Sequence, residues 1–205
     1  MIKNLFFRLI SALLGGSFGT LFAVIIYFSS LYFLGNEQNP LTSFVLIFMI
    51  FTGSLVANLS TGAILTFAQP EKYTRKNTML WHAFLLNIFL FLVAFPFYTI
   101  IENIQAVAIF HLISSAFASN VIYEMFTEKN AYALTGLYGS LFGAFFIFIV
   151  SIFINVQEDI LNIIIFILLP LIWIVLTLFT LIVEYLYTLF YKVSHIMFFD
   201  IHKDL

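Results

Sequence analysis

The side chains able to do chemistry in this 205-residue chain are few, and their types narrow the chemistry further. Cysteine is absent, so disulfides, thiolate metal sites, redox relays and Cys nucleophiles are excluded together. The four histidines are His82, His111, His195 and His202. Any of them is a natural metal ligand or proton carrier. Their spacing argues against a shared metal: His82 and His111 fall in two different apolar runs, each roughly 6–10 Å from opposite ends, well beyond ligand distance in a core ~30 Å thick. His195 and His202 lie near the C-terminus, with no spacing that pairs them with His82. No metal and no cofactor is expected.

Acid–base catalysis needs a titratable pair within reach. The apolar runs read as holding no Asp, Lys or Arg in their middles, and Glu184 reads as the only acid near one. At the edge of the last run, Glu184 is expected to reach for headgroups and Lys192. That pattern points away from an enzyme, and also from a pump with a carboxylate at the midplane. A lipid-acting enzyme using His82 or His111 with a hydroxyl partner is the third choice.

Two polar faces are the candidate ligand-binding surface. Ser54, Asn58 and Thr61, with Gly62, share one face of the second run. His111, Ser115 and Ser119, with Ser114 and Ala118, share one face of the fourth. Polar groups in lipid turn toward the interior of a helix bundle. These faces serve either as hydrogen-bonding glue between helices or as the lining of a cavity, glue being the commoner use.

Small residues form a second pattern. Ser11, Gly15, Gly19 and Ala23 repeat every fourth position in the first run. Gly136, Ser140 and Ala144 do so in the fifth, beside Gly139 and Gly143. Such ladders let another backbone approach closely, within the chain or across a subunit interface. The segment Gly136-Leu-Tyr138-Gly139-Ser140-Leu-Phe142-Gly143 resembles the glycine-rich serine motif of rhomboid intramembrane proteases. Tyr138 stands where the nucleophilic serine would be and no histidine follows in the last run, so the resemblance implies no protease.

The elements that must position these residues follow from composition. The chain is 63% hydrophobic and 9% charged, against about 25% charged in soluble domains, and its mean hydropathy is +1.10. The expected fold is all-α: one transmembrane domain over 1–205, a bundle of six helices. The spans are expected near 9–34, 41–68, 78–101, 104–126, 132–154 and 160–183. Each approaches or exceeds the ~20 apolar residues that cross a bilayer, and each is apolar on every face rather than alternating as barrel strands do. Pro96 and Pro170 fall inside spans and should kink them. The stretch 184–205, where Tyr, Lys and His mix with apolar residues, is expected to be an interfacial helical tail.

All eight Lys and Arg fall on one side of that threading: Lys3 and Arg8; Lys72, Arg75 and Lys76; Lys129; Lys192 and Lys203. The other side carries Glu37, Glu102, Glu158 and Asp159. Basic residues mark the cytoplasmic side, so both termini are expected there, in a bacterial cytoplasmic (inner) membrane. Expected partners are the lipid bilayer and either further protein subunits or a second copy; no basic, aromatic-laced surface supports nucleic acid.

The first functional reading is a non-enzymatic structural or accessory subunit of a larger membrane assembly. It makes its soluble contacts through Pro70–Asn77 and the tail. The alternative is the substrate-binding membrane subunit of a small-molecule transporter. Six spans, inside termini and a length of about two hundred residues are similar to the substrate-capturing subunits of energy-coupling-factor vitamin transporters, a similarity of size and topology.

Overall fold

The computed structural model describes the backbone of residues 2–34, 41–101, 104–127, 132–153 and 158–201, and side chains across most of that length. Six helices follow one another: α1 (Ile2–Leu34), α2 (Leu41–Ala68), α3 (Lys76–Ile100), α4 (Ile104–Met125), α5 (Tyr132–Phe153) and α6 (Glu158–Ile201). No strand occurs among the described residues. Five of the helices are long and apolar enough to cross a membrane, and α5 adds a shorter apolar stretch, Leu134–Val150. Helix is the form such sequence must take, because an apolar environment offers backbone N–H and C=O groups no partner outside the segment.

The helices form one bundle. α1 packs most extensively on α2 and then on α6, while α4 touches α2, α3, α5 and α6 and is the most buried of the five long apolar helices. Small residues set the closest approaches. A Cβ on Gly15 would come within 2.8 Å of the Ala57 carbonyl oxygen, and one on Gly139 within 2.8 Å of the Thr180 amide nitrogen. Gly19 lies against Gly53 and Ala57, Ala23 against Gly53, and Gly143 against Leu176 and Phe179. Ser140 adds a hydroxyl contact to Thr180 at 3.3 Å, and Ser11 is fully buried with its hydroxyl donating to the Phe7 carbonyl at 2.6 Å. Glycines of both ladders therefore face neighbouring helices of the same chain.

Pro170 lies inside α6 without ending it and packs on Gly16, whose missing side chain makes the room: a Cβ there would sit 3.0 Å from the proline Cβ. α6 also passes unbroken through Val183 and Glu184, where the sequence suggests a span giving way to a tail. Between α2 and α3 the chain makes a compact connection. Gln69 N–H donates to Leu65 O at 2.9 Å, and Lys72 N–H donates to Gln69 O at 3.0 Å. Tyr73 in this connection is only 2% exposed.

Candidate functional site

The polar side chains of the interior fall into three levels along α4. At the end of the bundle where α1 begins, the Arg8 guanidinium reaches two carboxylates. One Nη donates to Glu124 of α4, and the other to Glu184 of α6 at 2.5 Å. Arg8 is 3% exposed, Glu124 fully buried and Glu184 14% exposed. Three helices are thereby tied by one cation, the planar fork of arginine being suited to holding two acceptors at once.

The connection between α2 and α3 closes the cluster. Tyr73 lies close enough to Arg8, Glu124 and Glu184 to interact electrostatically with all three. Burial pushes its hydroxyl well above the ordinary tyrosine range, so it stays protonated and can serve as a donor. Lys72 interacts with Glu124 and holds its ammonium 5.8 Å from the centre of the Tyr73 ring. Two cations thus face two carboxylates. Glu124 Oε2 and the Tyr73 hydroxyl are both buried without a hydrogen-bond partner among the described residues. Gly136 of α5 gives Glu124 its space: a Cβ there would stand 2.7 Å from Glu124 Cγ. Thr127 caps the turn, its hydroxyl donating to the Glu124 carbonyl at 2.7 Å.

The middle level is a neutral network. Asn58 of α2 donates its amide N–H groups to Asn87 Oδ1 of α3 and to Ser115 Oγ of α4, each at 2.8 Å. Ser115 donates to the same Asn87 oxygen, and Tyr123 donates to the main-chain carbonyl oxygen of Asn58. Asn87 is held in turn by donating to Ala83 O at 2.8 Å. Nearer the ion cluster, Thr177 of α6 donates to Asn120 of α4 at 3.4 Å.

The third level lies toward the opposite end and is aromatic. The His111 ring stands 6.2 Å from both Phe91 and Tyr98, and Phe91 in turn packs 4.3 Å from Phe51. Tyr98 and Trp173 belong to one buried apolar cluster, His111 lies beside it against Phe91, and all three are at most 5% exposed. None of their polar atoms finds a hydrogen-bond partner among the described residues: both His111 ring nitrogens, the Tyr98 hydroxyl and Trp173 Nε1 all stand alone.

The six residues read as a ligand-binding surface are therefore not equivalent. Asn58 and Ser115 meet directly, as glue would. Ser54 and Thr61 donate to their own helix, to Phe51 O and Ala57 O. The His111 ring lies against Phe91 and Tyr98, and Ser119 is buried at 2% exposure.

Two expectations need correcting. Glu184 faces Arg8 rather than headgroups, and Lys192 lies outside the described side chains. Charge is also present in the interior, through Arg8 and Glu124. Glu124 escaped the sequence reading although it stands inside the fourth apolar run, where an ionisable residue is itself a signal. Asn87 in the third run was the matching signal for the neutral network. His82 is exposed, its Nδ1 2.7 Å from Thr78 O and its ring against Phe126. Among the described residues no three His, Asp or Glu gather as metal ligands.

No family model matches the chain, and no curated protein and no solved structure is found to be similar to it. Its function has to be argued from the three levels and from the helices that carry them.

Proposed function

We propose that this chain is a six-span, N-in/C-in integral membrane protein that acts as a non-enzymatic subunit of a larger assembly. The observation that carries this reading is the length of α6. Its 44 residues extend about 66 Å, whereas a bilayer with its headgroups is about 40–45 Å thick. Even a tilt at the upper end of the usual range leaves α6 too long for the bilayer.

The surplus projects at the end that carries Arg8, the side on which the basic residues gather and hence the cytoplasmic one. Past Glu184, Tyr185, Leu186, Tyr187, Leu189 and Phe190 are between 43% and 68% exposed. An apolar helix standing clear of lipid needs cover, and partner helices supply it. The glycine ladders are spent inside the chain, so this projection is the assembly surface. The test is native electrophoresis of membranes solubilised in mild detergent. Full-length protein is expected in a complex well above its 23.6 kDa, and a chain ended after Glu184 is expected to fold but run as a single subunit. Full-length protein running alone, or truncated protein retaining the complex, overturns the reading.

A second reading is a transport component, favoured by the polar levels stacked along α4. Ionisable residues inside a membrane protein characteristically mark solute or proton pathways. In this reading Asn58, Asn87 and Ser115 form the solute site, and the Arg8 cluster closes its cytoplasmic side. Asn58→Ala with Ser115→Ala is expected to abolish uptake into vesicles while the protein still folds; unchanged uptake removes the idea.

A further inference from the structure

The connection between α2 and α3 carries three basic residues, and the fold sorts them. Tyr73 is buried and anchors the connection against the Arg8 cluster. The Lys72 ammonium is buried beside it, on the side of Glu124. Arg75 and Lys76 are exposed, and their side chains make no ion pair or hydrogen bond among the described residues. Glu71 is exposed in the same connection and forms no ion pair with either of them. The backbone that carries the pair is fixed on both sides: Lys72 N–H donates to Gln69 O, and Met79 N–H donates to Arg75 O, each at 3.0 Å.

α3 gives these two cations a depth. Trp81, Leu85, Phe89, Leu92 and Ile100 are 57–75% exposed and recur at helical spacing. Met79, Ala83, Asn87 and Ala94, on the other face, are buried. In a bundle that spans a bilayer the exposed face meets lipid. Trp81 and Ile100 stand 19 positions apart, about 28 Å along the axis, close to the ~30 Å of the hydrocarbon core. Indole rings concentrate at the edge of that core, and Trp81 marks it here. Lys76 and Arg75 come five and six positions earlier, about 7–9 Å further out. The headgroup layer on each side is about 5–8 Å deep. The pair therefore stands at the outer edge of that layer, with side chains long enough to reach its phosphates.

We propose that Arg75 and Lys76 form a docking surface for the phosphate of an anionic phospholipid in the leaflet at the Arg8 end. Charge complementarity carries the assignment: two outward cations with no partner in the fold stand at the depth where an anionic leaflet presents its charge. The planar guanidinium suits two phosphate oxygens at once. The chains of the lipid then run down the exposed face of α3, past Trp81. Depth favours lipid over a soluble protein, which would meet the bundle beyond the headgroups. The proposal rests on the membrane-spanning part of the reading above, and on neither assembly nor transport.

Trp81 supplies the reporter, because acyl-chain bromine quenches tryptophan on contact. The protein is reconstituted in phosphatidylcholine vesicles that hold an equal fraction of either brominated phosphatidylglycerol or brominated phosphatidylcholine. Trp173 is 2% exposed against 61% for Trp81, and a Trp81→Phe variant gives its emission for subtraction. Quenching of Trp81 is expected to be stronger with the anionic lipid, equivalent to a local enrichment of about fivefold, the worth of one basic residue beside an anionic surface. Arg75→Gln with Lys76→Gln is expected to make the two lipids equal, and thermal unfolding checks that this variant folds as the parent does. Equal quenching in the parent overturns the proposal and leaves the pair to a soluble partner. A preference that survives the double substitution overturns it as well. Absence of quenching by either lipid overturns the membrane-spanning reading and this proposal with it, so the two failures are told apart.

Discussion

The two ends of the α4 interior treat polarity in opposite ways. At the Arg8 end full charges are buried, and charge answers charge across three helices. At the His111 end the polar atoms of His111 and Tyr98 find no hydrogen-bond partner among the described residues. The contrast follows from cost. An unpaired ion in an apolar bundle is ruinous, so Arg8 is found only together with acceptors. An unpaired neutral donor is a burden the fold can carry. The first arrangement fixes the bundle; the second leaves chemistry unspent.

Breaking the charged end should do the most damage. Arg8→Met leaves the partly buried Glu184 without its cation and the buried Glu124 with Lys72 alone, and is expected to cost about 3–5 kcal/mol, read as the unfolding free energy in mild detergent. Glu124→Gln alone should cost far less, because Arg8 keeps Glu184 at 2.5 Å. Equal losses from the two variants would show that the shared hold on Arg8 is not what matters.

Next in size is the close packing that aligns α5 with α6. Gly139→Val drives a side chain into the backbone of Thr180 and is expected to cost about 1–3 kcal/mol, by the same measurement. Asn87→Leu strips Asn58 and Ser115 of their common acceptor. Polar contacts inside membrane bundles average well under 2 kcal/mol, so a loss of about 1 kcal/mol is expected, with the Asn58 amide keeping its bond to Ser115 and losing the one to Asn87. The smallest effect belongs to the neutral end. His111→Leu removes two ring nitrogens that bond to nothing, so stability should stay within about 0.5 kcal/mol of the parent or rise. A large loss from His111→Leu would mean that the two ends are held in the same way.

Much of this was legible in the chain, and the failures are local. Apolar runs near bilayer length predict helices because hydrophobicity and length are additive along the sequence. The faces of Ser54, Asn58 and Thr61 and of His111, Ser115 and Ser119 follow from helical periodicity. The pairing of Asn58 with Ser115 across α2 and α4 is a tertiary fact, and so is the role of Asn87, which has no polar neighbour at helical spacing to mark it.

The Arg8 cluster was hidden for a different reason. Sorting by positive charge treats Arg8 and the loop lysines as labels of sidedness, and that view passes over a carboxylate inside a span. Only the bundle shows that α1, α4 and α6 bring Arg8, Glu124 and Glu184 to one point. The continuity of α6 was likewise out of reach, because its polar residues after Val183 look the same in an interfacial tail as in a projecting helix.

The most direct test of the paired-charge account compares Arg8→Met with the triple variant Arg8→Met/Glu124→Gln/Glu184→Gln by unfolding free energy in mild detergent. If the single variant fails because it strands the carboxylates of Glu124 and Glu184, neutralising them should restore most of the lost stability. A triple variant as unstable as the single one, or a single variant as stable as the parent, would contradict it.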